Sequence, residues 1–568
     1  MHLVSTSVTL CLALAATVLA RTNQEPTGPT VETQNGTVVG RYVESYNQEQ
    51  FLGIPFAQPP VGNLRFNLPQ PVNDSWDTPF DAREYGTVCT NYLLDLEVDI
   101  PGLKSSSEDC LTLNIVRPAN ATTTPDECLP VLVYIFGGGF RQGGSADGQY
   151  NTSRPVQHSV DMGAPSIVVT MNYRVHGWGY LAGDVVRGQG ALNVGLYDQR
   201  LALRWIQENI DAFGGDRERV TIHGESAGAA SVGFHLLAYS GRDDGLFHAA
   251  ICQSGGPWYF GSFATYQESE QSYQAVIRAT NCTEAEDTLA CLRAAPFEAL
   301  DAAFASLSFL PVVDGLLIPR YNSLALADGK FVRVPMLIGA NTDEGKIFTF
   351  EGPNSSKDFA SVIANYTYVR TKHNATIARL LDAYPYPGSN TTHGQSNDQL
   401  SLPAAYGSQF LRTARYTGDA MFIAGRRYTC EVWAQHGVPC YSFRFNTIPA
   451  GLDPVTSGAT HAQEVAFVFN NQQGLGMVSN PFNVTPPARQ QRYKELATPM
   501  GRMWMSFVAT QSPNHHQVES FKTLWDPYSL ADPRNMVFDG NTTSYIEKDD
   551  WRVEPIRLII DSAAAFSR

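Results

Sequence analysis

Six short apolar runs recur along the chain: "PVLVYIF" (130–136), "SIVVTMNY" (166–173), "RVTIHGE" (219–225), "AAICQSG" (249–255), "VPMLIGA" (334–340) and "CYSFRF" (440–445). Each is strand-length and rich in Val, Ile and aromatic residues, the pattern of a strand buried on both faces. Helical patterns lie between them. In "YDQRLALRWIQENIDAFGG", Leu201, Trp205, Ile206, Ile210 and Phe213 recur at three- and four-residue spacing, and Gly214-Gly215 stops the run. Strands alternating with helices predict an α/β fold: a large, mostly parallel sheet flanked by helices. No linker separates independent domains, so residues 21–568 are expected to form one domain, with insertions at the C-terminal edges of the strands.

The first twenty residues, "MHLVSTSVTLCLALAATVLA", stand outside this pattern. The apolar run from Val8 to Leu19 is short for a membrane span, and Val18-Leu19-Ala20 fits a signal-peptidase site. Residues 1–20 are therefore expected to be a signal peptide and the protein to be secreted. Eleven Asn-x-Ser/Thr sequons agree with export: Asn35, Asn73, Asn120, Asn151, Asn281, Asn354, Asn365, Asn374, Asn390, Asn483 and Asn541. Nine cysteines are present, and Cys11 lies in the leader. In an oxidising compartment, close spacing suggests Cys89–Cys110, Cys282–Cys291 and Cys430–Cys440. Cys252, in "HAAICQSGG", reads as a buried thiol, and Cys128 has no evident partner. The net charge of -15 argues against nucleic acid, which needs clustered cations, and against stable association with an anionic membrane.

Chemistry concentrates at "TIHGESAGAAS" (221–231), where Ser226 stands between Gly224 and Gly228. A bare Gly-x-Ser-x-Gly is weak evidence, but here a strand pattern precedes it and a helix pattern, "AGAASVGFHLLA", follows. Strand, sharp turn and helix make a nucleophile elbow, which puts the hydroxyl over a helix N-terminus. A serine needs a base to take its proton, and an attacked carbonyl needs donors for its oxyanion. "YIFGGGF" offers Gly137 to Gly139 after a strand. The triplet could be a plain turn or a phosphate cradle, but no Lys-Ser/Thr follows it. Gly138, Gly139 and Ala227 are the expected oxyanion donors.

From these motifs outward the chain resembles the type-B carboxylesterase/lipase family, which includes the cholinesterases and the long-lidded fungal lipases. "FLGIPFAQPPVGNLRF" (51–66), "SSEDCLTLNI" (106–115), "NVGLYDQRLALRWIQENI" (193–210), "QSGGP" (253–257), "PVVDG" (311–315), "GANTDEG" (339–345) and "WDPYS" (525–529) all read like its segments. The resemblance implies the α/β-hydrolase fold and a triad in the chain order Ser, acid, His. It puts the acid on Glu344 rather than the adjacent Asp343. Six histidines follow Glu344: His373, His393, His436, His461, His515 and His516. His461, in the small-residue loop "TSGATHAQEVAFVF", matches the family's histidine, while His515 and His516 read as solvated.

By the same resemblance Arg65 pairs with Glu108 and Arg174 with Asp198 as structural ion pairs. Glu225 tunes the site electrostatically, and Ser254 hydrogen-bonds the triad acid. The Cys89–Cys110 loop is shorter than the family's lipase flaps, which speaks against interfacial activation, and it lacks the tryptophan that binds choline esters. Ala305 and Leu307 stand where cholinesterases carry bulky acyl-pocket aromatics. Trp258, Tyr259 and Phe260 are either pocket lining or plain core. The expected activity is serine carboxylic ester hydrolysis on a small-molecule ester of small to medium size, with no metal and no cofactor. The alternatives are a lipase on longer acyl chains, an ester-forming tailoring enzyme, and a non-catalytic adhesion protein.

Overall fold

The computed structural model describes residues 28–90, 106–124, 127–366, 373–385 and 402–568. The leader, the interior of the Cys89–Cys110 loop and the sequon at Asn390 lie outside the described residues.

An eleven-stranded sheet organises the molecule. In chain order its strands are β1 (Arg41–Val43), β2 (Gln48–Pro55), β3 (Thr112–Pro118), β4 (Leu129–Ile135), β5 (Ile167–Met171), β6 (Gly215–Glu225), β7 (Ala249–Gln253), β8 (Met336–Asn341), β9 (Cys440–Phe445), β10 (Arg534–Phe538) and β11 (Tyr545–Lys548). They lie side by side as β11-β10-β9-β8-β7-β6-β4-β5-β3-β2-β1. From β5 to β10 every neighbouring pair is parallel, and these strands include all six apolar runs of the sequence. The margins are antiparallel: β5 against β3, β3 against β2, β2 against β1, and β10 against β11. β1 to β3 and β11 carry charged and polar residues beside apolar ones, which suits strands nearer the margin of a sheet.

Helices cover the parallel core. α1 (Val194–Asn209) ends in a short 3-10 turn, and Gly214 closes it at φ 79°, a left-handed conformation that glycine adopts without penalty. α2 (Ala227–Gly241) packs on β6 and β7, and the long α5 (Pro487–Thr510) packs on β6 and β4. Alternation along β6 sends these contacts to opposite faces. Gly224 faces α2, whereas the neighbouring His223 hydrogen-bonds Gln253, whose amide oxygen also takes the indole N–H of Trp504 on α5. α3 (Phe410–Gly418) and α4 (Ala424–Gln435) are joined by a π-helical turn over Asp419–Ile423.

The disulfides Cys89–Cys110, Cys282–Cys291 and Cys430–Cys440 are all formed. Cys252 is a buried free thiol, and Cys128 is free and half-buried. Arg65 pairs with Glu108 and Arg174 with Asp198, as expected. His516 departs from expectation. It is buried, its Nδ1 accepts the Val518 N–H, and its ring packs edge-on to Phe521. The polar neighbours that suggested solvation lie in chain sequence, whereas the apolar partner comes from the fold-back five residues on.

Candidate active site

The end of β6 turns directly into α2 at Ser226, which has φ 56° and ψ -121°. A non-glycine residue holds such a conformation only when its surroundings over-determine it. The two flanking glycines are that surrounding. A Cβ on Gly224 would run into the Gly228 backbone, and one on Gly228 would run into the Ile135 carbonyl of β4. The Ser226 N–H donates to Gln253 O at 2.9 Å, which ties the elbow to β7. Ala227 is the first residue of α2, so its N–H is among the donors a helix N-terminus leaves without intrahelical partners.

The glycine triplet lies against the elbow. A Cβ on Gly137 would stand 2.6 Å from the Glu225 carbonyl and 3.2 Å from Ser226 Cβ. Gly138 and Gly139 have φ 95° and 67°. The candidate donors Gly138, Gly139 and Ala227 therefore come from two segments that meet at Ser226.

Glu344 and His461 arrive from further along the chain. Glu344 follows β8 and is fully buried. Its Oε1 accepts from the Asn341 N–H at 2.7 Å and from the Ser254 hydroxyl at 2.5 Å. Its Oε2 meets His461 Nδ1 at 2.6 Å, and His461 Nε2 lies 2.8 Å from Ser226 Oγ. Asp343, the rival acid, serves elsewhere. It accepts from the Ala459 N–H and pairs with Lys346, clamping the base of the loop that carries His461. The other described histidines after Glu344 stay away from this constellation. His436, for example, bonds the Val432 carbonyl on its own helix.

Three buried carboxylates face the imidazole. Burial pulls His461 down, but Glu344 and Glu225 outweigh it and carry the group up to about 9. Burial pushes Glu225 up to about 8, against the pull of His461. Glu225 Oε1 has no hydrogen-bond partner and stands 3.3 Å from His461 Nε2. The contact is one of charge rather than a made hydrogen bond. Burial and the neighbouring Glu344 also raise Glu464. Gln253 and Asn341 donate to its two oxygens, and the same Asn341 amide holds the Thr460 carbonyl next to His461. Glu464 sits three residues after His461, and that proximity was its one sequence signal.

Aromatic rings pack against the imidazole. Phe422, on the π-helical turn, lies 4.6 Å from the His461 ring centroid, and Phe348 lies 5.0 Å away. Phe260 packs on Phe422 at 5.5 Å. Of the segment read as pocket lining or core, Trp258 and Tyr259 are core. Trp258 packs on Tyr428, and Tyr259 on Phe234 and Phe263. Phe260 alone reaches the wall beside His461. The Ala305 carbonyl accepts from Arg141, just beyond the glycine triplet, and the Leu307 carbonyl accepts from His176, which follows β5.

The chain is similar to proteins of one family along most of its length. A sequence profile described as the carboxylesterase family matches residues 27–551. "Lipase 4" of Diutina rugosa is 37% identical over 483 residues, which is 77% of this chain and 83% of that protein. "Secreted lipase 1" of Botryotinia fuckeliana is 34% identical over 519 residues, 85% of this chain and 84% of the relative. The crystal structure of Aspergillus niger EstA superposes with a TM-score of 0.81 at 28% identity, covering 95% of this chain and 99% of the other. A structure titled "PNB esterase" follows at 0.75 and 28%, covering 94% and 99%.

Proposed function

The chain belongs to the carboxylesterase family and is a carboxylic ester hydrolase, and on that premise we propose that Ser226, His461 and Glu344 carry the reaction. The observation that supports this reading is the continuous contact from Ser226 Oγ through the His461 ring to Glu344 Oε2, at 2.8 and 2.6 Å. Ser226 Oγ attacks the ester carbonyl carbon while its proton passes to His461 Nε2. The carbonyl π pair moves to oxygen, and the N–H groups of Gly138, Gly139 and Ala227 receive that charge. Glu344 holds the imidazole through Nδ1–H and stabilises the imidazolium. As the tetrahedral carbon collapses, the C–O bond to the alcohol breaks and His461 gives the alcohol its proton. Water then attacks the acyl-serine with His461 again as base, and the acid departs.

We propose further that the protein is secreted and acts on esters of small to medium acyl length. The short Cys89–Cys110 loop supports the size, and the names of relatives such as "Secreted lipase 1" support the export. Those same names favour a second reading, a lipase on longer chains. No described helix is long and apolar enough to cross a membrane.

A p-nitrophenyl ester series separates the readings. The esterase account expects kcat/KM to peak between acetyl and hexanoyl esters below their solubility limits. A rate that jumps only when a long-chain ester passes its solubility limit would replace it with the lipase reading.

A further inference from the structure

The last turn of the described chain, Ala563–Phe566, ends at Ser567 with φ 53°, and that left-handed residue throws Arg568 inward. Arg568 is only 1% exposed. Its Nε donates to the Gly261 carbonyl at 2.8 Å, and its Nη1 donates to the Ala420 carbonyl. Its main-chain oxygen accepts from the Ser323 hydroxyl, no described side-chain carboxylate is paired with its guanidinium, and burial pushes its pKa down to about 10. A guanidinium buried against backbone carbonyls rather than a side-chain carboxylate is costly to desolvate.

The two carbonyls it holds belong to segments that meet at the active site. Gly261 follows Phe260, and Ala420 precedes Phe422 by two residues on the π-helical turn. Phe260 packs on Phe422, and Phe422 on the His461 ring. The same strap is fastened alongside: the Ser262 hydroxyl donates to Phe566 O at 2.7 Å, and the Phe263 N–H donates to Ser567 O at 3.1 Å. A planar fork suits the task, because two of its N–H groups can reach two carbonyls at a fixed angle, which an ammonium cannot do.

We propose that Arg568 is a positioning residue that locks the Phe260–Phe422 wall beside His461 and thereby sets which acyl chains the site accepts. The inference rests on the reading of Ser226 and His461 given above. Phe422 is buried and Phe260 is partly exposed, so on this proposal a longer acyl chain meets the wall at Phe260 and an acetyl group does not.

The experiment compares wild type with R568M on p-nitrophenyl acetate and hexanoate, each preparation titrated for active Ser226 with a phosphonate. R568M is expected to keep kcat on acetate within about threefold while the hexanoate-to-acetate ratio of kcat/KM drops at least fivefold through a raised KM. S262A, which loosens the strap but leaves the guanidinium, is expected to lower the melting temperature and keep the wild-type ratio. Should R568M fail to fold, R568K retains the charge without the fork and is expected to show the same drop. An unchanged ratio in the folded variant, with or without a lower melting temperature, would overturn the inference. A wild type that turns over esters without phosphonylation at Ser226 would instead overturn the reading of the triad.

Discussion

In the proposed triad, the acid is held by neighbours outside it. Glu344 spends one oxygen on the Asn341 N–H and the Ser254 hydroxyl and presents the other to His461. Replacing Glu344 by Gln removes the charge that stabilises imidazolium and puts an amide where the Nδ1–H must be accepted. E344Q is expected to lower kcat about ten-thousandfold with little change in KM, measured on p-nitrophenyl butyrate. Glu225 acts on the same ring from 3.3 Å without a hydrogen bond. Its carboxylate favours imidazolium, so E225Q should make His461 easier to deprotonate. The acid limb of the kcat/KM profile is expected to move to lower pH in E225Q. An unmoved or alkaline-shifted limb would show that Glu225 does not act on His461 through charge. Ser226 and the glycine triplet stood out because their motifs demand an unusual backbone, whereas Glu344 was reached over Asp343 by resemblance to the family. Phe348, Phe422 and Arg568 were not legible, since nothing in their local sequence says which distant ring or carbonyl they will meet.

At the scale of elements, the parallel strands were legible because burial on both faces forces unbroken apolar runs. The π-helical turn Asp419–Ile423 was not, because a widened helical turn has no residue signature of its own, and it is this turn that aims Phe422 at His461. A similar gap separates a sequon from a glycan. Asn35 occupies the turn between the strands Thr30–Thr33 and Gly36–Val39, is 8% exposed, and donates its amide to the Val72 and Asp74 carbonyls. Asn73, on the facing segment, is exposed. Glycopeptide mass spectrometry of the protein expressed through a secretory pathway is expected to find Asn73 occupied and Asn35 bare. A glycan on Asn35 would require this turn to be built differently.

Across the whole molecule, the antiparallel margins are what the sequence concealed, since edge strands mix polar and apolar residues and read like loops. One margin is fastened by charge. Asp549, just after β11, bonds Arg426 and Arg427 of α4 and accepts from Tyr528, and Arg426 also reaches Ser442 on β9 and Asn535 on β10. Burial alone would raise the Asp549 carboxyl, but the two guanidinium groups hold it well below the usual carboxylate range. A depressed carboxylate adds stability above its unfolded pKa of about 3.9, and loses that stability as pH falls toward its folded value. D549N leaves two buried arginines without their charge partner. It is expected to cost about 3–5 kcal/mol in urea unfolding at pH 7, with the gap to wild type narrowing as pH falls below about 4. A gap that stays constant with pH would mean that the node works by packing rather than by charge.

The most direct test of the central claim is peptide mapping by mass spectrometry after treatment with a p-nitrophenyl phosphonate. The account predicts one adduct per chain, on Ser226, with loss of all esterase activity, and labelling slowed at least a thousandfold in H461A. Full esterase activity with Ser226 unmodified, or an adduct on another residue that accounts for the loss, would contradict it.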